Sequence, residues 1–223
     1  MTRQAHGGIH FTDRDGRLLR WINGHGSVTL RQMARWTGVS YQSMQRRVRQ
    51  LVDHGYLERR AIFHGDRAHW LTKLGHQLCA DDLPPPKDIK LGSYRHNHML
   101  VDLSLSLIAD LGGRFTPERR VRQIMGFTKF GERYHVPDGW MHVDARKKPI
   151  AIELELSTKG SRRLEKIMHH HVFDLDIAEV WYFVESDVVR RHLEKAGGGF
   201  ASIRIFNVPD DVAAGLPKEL ALA

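Results

Sequence analysis

The pattern of apolar and polar residues predicts three helices near the start of the chain. A first amphipathic helix is predicted at residues 13–22, because its apolar side chains recur at helical spacing. Thr29 is suited to cap a second helix that extends through Trp36. Gly38 then predicts a turn, and Ser40 is suited to cap a third helix. The pattern therefore predicts a helical unit in this region.

The third helix, predicted from Tyr41 to His54, has two chemically different sides. Gly55 follows its C-terminus, as is typical where a helix ends. One stripe is apolar and is expected to face a core, whereas the opposite side carries amide and guanidinium groups. The apolar stripe comprises Met44, Val48, Leu51 and Val52, and the polar side comprises Gln42, Gln45, Arg46 and Arg49. Amides and guanidinium groups are the side chains that hydrogen-bond adenine and guanine.

A hairpin, a helix and a proline-rich segment follow. Strands are predicted at residues 56–60 and 68–72 around a turn at 64–67, with a closing helix at 73–80. Three consecutive prolines at residues 84–86 cannot continue a helix and favour an extended spacer. The sequence therefore predicts an N-terminal domain at residues 1–82, a linker at 83–90 and a second domain at 91–223.

The second domain alternates between helical and strand-like segments, which predicts an α/β fold. Residues 115–124 and 127–135 are less regular and are expected to include strands. The remaining segments are a helix at 94–109, strands at 137–143 and 150–156, a helix at 162–174, a strand at 179–184, a helix at 187–196 and a strand at 203–206. The predicted fold class is thus α/β in two domains, with a mixed sheet in the second.

The strand at residues 150–156 carries two carboxylates. Side chains alternate between the faces of a strand, so Glu153 and Glu155 are expected to share one face while isoleucine and leucine bury the other. Two like charges about 4 Å apart repel by roughly 4 kcal/mol at an effective dielectric near 20, so a cation, a basic side chain or water must compensate. Asp138 on the preceding strand completes an oxygen-rich set suited to Mg²⁺. The alternative is a solvated face whose carboxylates pair with Arg162 or Arg163.

Composition narrows the class of protein. The chain has 223 residues and a formal net charge of +8, which favours an anionic partner. Residues 1–86 contain 13 Lys and Arg against 7 Asp and Glu, so the excess basicity lies in the first third. The single cysteine, Cys79, excludes an internal disulfide and a Cys-rich zinc site. With no apolar run of 18 residues and no signal-peptide pattern, a cytoplasmic protein without membrane partners is expected.

The N-terminal pattern resembles the winged helix-turn-helix domain of MarR-like regulators. The resemblance covers nearly all of residues 12–80, and its most specific part is the transition Leu51-Val52-Asp53-His54-Gly55-Tyr56-Leu57. It implies that the helix from Tyr41 to His54 is a recognition helix in the major groove of double-stranded DNA. It also places Arg59, Arg60 and Arg67 on a wing that reaches the DNA backbone or minor groove. A solvated helix face in a protein-binding domain is the alternative.

The second domain resembles the PD-(D/E)XK nuclease superfamily, that is, a restriction-endonuclease-like core. The residues that carry the resemblance are Pro137-Asp138 followed by Glu153-x-Glu155. The resemblance implies Mg²⁺ (or Mn²⁺) held by Asp138 and Glu153 for phosphodiester hydrolysis. The expected lysine position is occupied by Glu155, and Lys159 lies four residues further on. Glu118 is a further acidic candidate, with an ion pair to Arg119 or Arg122 as its alternative.

The whole chain resembles the replication-relaxation family of actinobacterial plasmids and integrative elements. Supporting letters are Val101-Asp102-Leu103, Pro137-Asp138 and Val180-Trp181-Tyr182. The resemblance implies a role in replication, transfer or regulation of mobile DNA. Two hypotheses remain open: a DNA-binding protein with a metal-dependent nuclease domain, or a non-catalytic regulator whose second domain serves homodimerisation or DNA scaffolding. The tract His169-His170-His171 is interpreted as a solvated helix end.

Overall fold

The structure, a computed structural model, describes residues 9–62, 67–126, 135–172, 174, 176–197 and 199–214. These residues form two compact units, of which the first extends through Leu105 and the second runs from Ser106 to Ala214. The division falls inside a helix, whereas the sequence predicted a linker at residues 83–90 and a second domain from residue 91. No helix of the described residues is long and apolar enough to cross a membrane.

The first unit contains the predicted order of three helices, a hairpin and a closing helix. The helices are α1 (Asp13–His25), α2 (Leu30–Thr37), α3 (Tyr41–Asp53) and α4 (Lys73–Cys79), and the strands are β1 (Val28–Thr29), β2 (Leu57–Ala61) and β3 (Arg67–Leu71). The strands pair antiparallel in the order β1-β3-β2. The sequence missed only the short β1, which has two residues and no periodicity of its own.

Side-chain caps explain where these helices begin. Thr12 and Thr29 each accept a hydrogen bond from the backbone N–H three residues ahead, and each forms a complete capping box. Ser40 and Thr72 accept equivalent bonds at the starts of α3 and α4. Gly38 adopts a left-handed conformation with φ 68° between α2 and α3, as its predicted role as a turn requires. Local sequence therefore determines where each helix begins.

One hydrophobic core holds the first unit together. It joins Leu19 of α1, Met33 of α2 and Leu51 of α3 to the wing through Leu57 and Leu71. Val101 and Leu105, from the helix α5 (Tyr94–Leu111), belong to the same cluster. Because all of these side chains are nearly inaccessible to water, α3 is fixed against the rest of the unit by its apolar stripe.

The proline-rich segment is attached to this unit and does not form a separate spacer. The Asn23 amide donates to the Asp81 carboxylate at 2.9 Å and to the Leu83 carbonyl at 2.5 Å. Ile89 and Tyr94 lie in a second buried cluster with Trp70 of β3. The sequence suggested an extended spacer from the prolines alone, since the partners of this segment are distant in the chain, as Asn23 is from Asp81 at a separation of 58 positions.

Gly75 offers a direct test of how α4 packs on the wing. A Cβ at this position would lie 2.1 Å from the Tyr56 carbonyl oxygen, a backbone atom that cannot move aside. We expect Gly75→Ala to destabilise the first unit by about 3 kcal/mol, because overpacking of this kind forces the backbone to shift. Gly92→Ala is the matched control, since nothing lies within 4 Å of its Cβ position. Urea unfolding followed by tryptophan fluorescence measures both, and equal midpoints for the two variants would contradict the packing described.

The second unit is built on a five-stranded mixed sheet, which confirms the predicted α/β class. The strands are β4 (Arg114–Pro117), β5 (Gly139–His142), β6 (Ile150–Glu155), β7 (Glu179–Val184) and β8 (Ile203–Asn207), in that spatial order. The first three are antiparallel, and β6, β7 and β8 are parallel. The helices are α6 (Glu118–Met125), α7 (Ser161–Val172), α8 (Asp187–Gly197) and α9 (Asp210–Ala214). Of the two less regular segments, residues 115–124 contain the end of β4 and most of α6, and 127–134 lie outside the described residues.

The central strand β6 departs from the expected alternation of a buried and a solvated face. All six of its residues are buried, including Glu153 and Glu155. The reason is its position, because β6 pairs with β5 on one side and with β7 on the other. Strands with parallel neighbours in such sheets are commonly covered on both faces. The alternative of a solvated carboxylate face is therefore wrong.

Candidate functional site

The outward side of α3 carries the four polar residues predicted to contact DNA. Gln42, Gln45, Arg46 and Arg49 are all exposed, whereas Met44, Val48 and Leu51 are buried. The Arg46 guanidinium lies 3.4 Å from the Ser43 hydroxyl, and the Arg49 guanidinium lies 3.7 Å from the Asp53 carboxylate with 78% of its side chain exposed. An exposed pair of that kind contributes little energy, so both guanidinium groups can change partner at small cost.

A groove separates the C-terminal half of α3 from the wing. It has a volume of about 330 Å³. Arg49 lines it from the helix, and Arg59 and Arg67 line it from the two strands of the wing. The other lining residues are Gln45, Val48, Asp53 and His69. Three guanidinium groups against one carboxylate make the groove positive, which is the electrostatic character that attracts phosphates.

Strand alternation sends the two neighbouring wing arginines to opposite faces. Arg59 lies opposite His69 and faces the groove, whereas Arg60 lies opposite the buried Ala68. Arg60 instead lies 3.3 Å from the Asp88 carboxylate, donates to the Ile89 carbonyl and stands 5.9 Å from the centre of the Trp70 ring. The structure thus brings Arg59 and Arg67 to α3 and does not bring Arg60 there. The predicted turn at residues 64–66 lies outside the described residues.

His69 keeps the floor of this groove neutral. Its side chain is buried, and burial together with the charges of Arg59 and Arg67 lowers its pKa to about 4. Backbone hydrogen bonds oppose that shift without reversing it. The imidazole is therefore uncharged at neutral pH, and the arginines supply the positive charge of the groove.

Arg47 belongs to the interior side of α3 and was missed by the sequence analysis. Its guanidinium forms two hydrogen bonds to the Asp15 carboxylate, of 2.8 and 2.6 Å, in a bidentate arrangement. Burial raises the pKa of Asp15, but the bonds from Arg47 and Thr12 outweigh burial and hold that pKa below its usual value. The pair joins α3 to the start of α1. Arg46 and Arg47 are neighbours of the same type, and the partner that distinguishes Arg47 lies 32 residues away in the chain.

The second unit gathers three of the predicted acidic residues around one buried tyrosine. Glu153 lies opposite Tyr182 in the pairing of β6 with β7. Burial raises the pKa of Tyr182, and the charges of Glu153, Glu155 and Asp138 raise it further. The Tyr182 hydroxyl is buried and has no hydrogen-bond partner among the described residues. Three carboxylates and one phenol therefore share this part of the sheet.

Each of the three carboxylates already contacts a defined partner. Asp138 Oδ2 accepts a 2.8 Å hydrogen bond from the Leu154 backbone N–H. Glu155 Oε2 lies 2.5 Å from Lys159 Nζ. Lys159 thus lies beside the carboxylate that occupies the expected lysine position. The partners are not Arg162 and Arg163, which are exposed.

Glu153 is held by two histidines. Its Oε1 lies 2.6 Å from His135 Nε2 and 2.8 Å from His171 Nε2. Burial raises the pKa of Glu153, yet the hydrogen bonds and charges of the two imidazoles prevail and lower it. The interpretation of the tract His169-His170-His171 as a solvated helix end is wrong for His171, which is buried. His135 and His171 were missed because 36 positions separate them in the chain.

Glu118 stands apart from this cluster. It begins α6, and its carboxylate forms an ion pair with Arg122 one helical turn later. Its backbone N–H donates to the Asp138 carbonyl at 2.9 Å, so the two main chains are adjacent while the Glu118 carboxylate is engaged with Arg122. The contact corresponds to the alternative interpretation, an ion pair within the helix.

The contacts of Glu153 bear on which metal could bind here. Mg²⁺ prefers an all-oxygen octahedron and keeps several waters. The described neighbours of Glu153 Oε1 are two imidazole nitrogens, and Asp138 Oδ2 is engaged with the backbone. This donor set does not fit an Mg²⁺ ion held by Asp138 and Glu153, and imidazole suits later transition metals better.

Comparison with known proteins bears on the N-terminal part of the chain. Residues 11–65 match the model of the MarR family. Neither the curated proteins nor the solved structures contain a significant match to the chain. The matched segment includes α1, the helix-turn-helix pair α2 and α3, and the first strand of the wing. The N-terminal part of this protein is therefore a winged-helix domain of the MarR family.

Proposed function

We propose that this protein binds double-stranded DNA in a sequence-specific manner through α3 and the wing. The observation that carries the proposal is the groove lined by Arg49, Arg59 and Arg67, which adjoins the exposed polar side of α3. The MarR-family match supports DNA binding or regulation. The net charge of +8 supports a polyanionic partner.

The contacts divide into two kinds. The polar side of α3 points away from the hydrophobic core of the first unit. A helix in the major groove presents such a side to the base edges. The side chains on it are Gln42, Gln45, Arg46 and Arg49. Arg59 and Arg67 extend from the wing, where they reach phosphates or the minor groove. Base contacts choose the site, and phosphate contacts supply affinity that weakens as salt rises.

The family match also supports a proposal for the oligomeric state. MarR-like domains are often dimeric, and a dimer reads two half-sites about 10 base pairs apart. We infer that a homodimer protects a palindromic footprint.

Titration of labelled duplexes tests DNA binding. The protein is titrated into a duplex carrying its own upstream region and into a shuffled duplex of equal composition, at several salt concentrations. Tighter binding to the upstream duplex, with affinity that falls as salt rises, is the expected result. Equal affinity for both duplexes at every salt concentration counts against sequence-specific recognition of this region.

Strand cleavage by the second unit is the second candidate function. It is favoured by the carboxylates of Asp138, Glu153 and Glu155 around Tyr182 and by the Lys159 ammonium beside Glu155. The order of α5, the strands β4 to β6, and then α7, β7, α8 and β8 agrees with the order of helices and strands that the nuclease resemblance implies. A cofactor of Mg²⁺ or Mn²⁺ and a role in replication, transfer or regulation of mobile DNA stay predictions from that resemblance. Without cleavage, the proposal is a non-catalytic regulator whose second unit serves dimerisation or DNA scaffolding.

Asp138 separates these two functions experimentally. We expect Asp138→Asn to abolish metal-dependent nicking of supercoiled DNA and to leave DNA affinity within about 2-fold, since phosphate and base contacts come from α3 and the wing. Asparagine is preferable to alanine because its carbonyl can still accept the Leu154 N–H. Asp144→Asn, at an exposed position, is the control. Absence of nicking by the unmodified protein with Mg²⁺, with Mn²⁺ and with Zn²⁺ eliminates cleavage and leaves the proposal of DNA binding unaffected.

A further inference from the structure

The second unit contains a cluster with the composition of a transition-metal site. His135, Glu153 and His171 each offer one ligand atom, and these atoms all lie within 4.8 Å of one another. Two imidazoles and one carboxylate are a common ligand set of catalytic zinc, and they leave a fourth position open. We propose that His135, Glu153 and His171 bind one divalent transition-metal ion of the Zn²⁺ class.

The geometry requires little change to accept the ion. Zn²⁺ lies about 2.0–2.1 Å from imidazole nitrogen, so two histidines on a tetrahedral ion would have ring centres roughly 5.2 Å apart. The ring centres of His135 and His171 are 5.1 Å apart, and the ring planes make an angle of 81°. The Nε2 atoms lie 2.6 and 2.8 Å from Glu153 Oε1, against roughly 3.4 Å for ligand atoms around such an ion. An outward shift of under about 1 Å makes room for the ion.

The three ligands come from a strand, a helix and a connecting segment. Glu153 lies on the central strand β6, and His171 lies in the last turn of α7. His135 lies in the segment that precedes β5. The side chains of His171 and Glu153 are 1% and 4% exposed, whereas that of His135 is 25% exposed. The cluster is therefore held rigidly on two sides and is accessible to an ion from solvent at His135.

Charge and hydrogen bonding in the surroundings also favour a cation. Asp138 and Glu155 add two carboxylates near the cluster, whereas the Lys159 ammonium adds one positive charge beside Glu155. Two buried carboxylates, Glu153 and Glu155, with the half-buried Asp138 beside them, cost folding free energy unless positive charge compensates them. Tyr182 lies opposite Glu153, and its buried hydroxyl has no hydrogen-bond partner among the described residues. A buried hydroxyl needs such a partner, and a water bound at the open position of the ion could accept its hydrogen bond.

Zinc titration of the metal-stripped full-length protein, carrying no affinity tag, tests the proposal without DNA. Isothermal titration calorimetry with ZnCl₂ should show one site per chain with a dissociation constant in the micromolar range or tighter. Co²⁺ should give the intense visible absorption of a four-coordinate ion. Binding should weaken as pH falls, because the ligands must lose their protons, and excess Mg²⁺ should not displace Zn²⁺.

Substitutions decide whether these three residues hold the ion. We expect His135→Gln and Glu153→Gln each to weaken Zn²⁺ binding by at least about 100-fold, since each removes one of three protein ligands. His135 is the safer test of the two because it is partly exposed, and circular dichroism verifies that each variant is folded. His169→Gln with His170→Gln is the control within the same tract, and it should leave binding unchanged.

Two results overturn the proposal. One is a metal-stripped protein that takes up neither Zn²⁺ nor Co²⁺, in which case the cluster is a hydrogen-bonded Glu-His pair whose compensating charge is a proton. The other is Zn²⁺ binding of unchanged affinity in folded His135→Gln, whatever the control variant of His169 and His170 shows. Neither result bears on DNA binding by α3, so the two proposals fail separately.

Discussion

Replacing Arg49 and Arg59 together by alanine is expected to weaken binding to a specific duplex by about 30-fold or more. Each guanidinium contact to a base or phosphate contributes roughly 1–3 kcal/mol, so the loss of two contacts, roughly 2 kcal/mol at the least, corresponds to at least about 30-fold. Both side chains are exposed and line the same groove from different elements. Fluorescence anisotropy of a labelled duplex measures the affinity. If both arginines contact phosphates, the plot of log affinity against log salt concentration should become less steep in the variant, by roughly 2 in the magnitude of its slope.

Arg60→Ala is the matched control for this prediction. Arg60 neighbours Arg59 in the same strand, but its guanidinium lies on the opposite face beside Asp88. Arg60→Ala and Arg59→Ala each remove one positive charge. A difference in DNA affinity between the two variants therefore reports the position of the charge and not the net charge of the protein. We expect an affinity change of under about 3-fold. A loss equal to that of Arg59→Ala would show that the groove is not the binding surface.

Replacing Arg47 by alanine is expected to destabilise the winged-helix domain by about 3 kcal/mol. The substitution leaves the buried Asp15 carboxylate without its bidentate partner, and an uncompensated buried charge is strongly destabilising. Arg46→Ala, one position away, should change stability by under about 0.5 kcal/mol because its side chain is exposed. Urea unfolding followed by tryptophan fluorescence measures both variants.

The pH dependence of the Arg47 variant supplies an independent check. The folded-state pKa of Asp15 is lowered, so its contribution to stability is present above the unfolded pKa and is lost as pH falls through the folded value. Arg47→Ala removes the hydrogen bonds and the charge of Arg47, which lower this pKa, and leaves only the hydrogen bonds from Thr12 to lower it. The difference in stability between the two proteins should therefore be largest near neutral pH and shrink in acid. A difference that is constant with pH would contradict the role given to the pair.

Periodicity identified most of the winged helix, but it could not assign every charge. Met44, Val48 and Leu51 defined the buried stripe of α3, and the capping residues at its start and end defined its length. Arg46 and Arg47 are equally polar in sequence, and only the position of Asp15, 32 residues away, separates a surface charge from an interior one. The same holds for the wing, where strand alternation alone separates Arg59 from Arg60.

The second unit was harder to predict because its site depends on contacts that are distant in sequence. The Pro137-Asp138 and Glu153-x-Glu155 letters led to the correct strands, since short local patterns define them. They did not indicate His135 or His171, which approach Glu153 only after the sheet and α7 have formed. Glu118 was an acidic candidate because it precedes the site strands, yet Arg122, one helical turn away, holds its carboxylate.

Selection of bound sequences from a pool of random duplexes tests the central claim most directly. The protein is incubated with the pool at physiological salt, and the bound fraction is sequenced over successive rounds. The account predicts an enriched motif, repeated as two half-sites, that changes or disappears when Gln45 and Arg46 are replaced by alanine. Enrichment of no motif, or of the same motif by the intact and the substituted protein, would contradict sequence reading by α3.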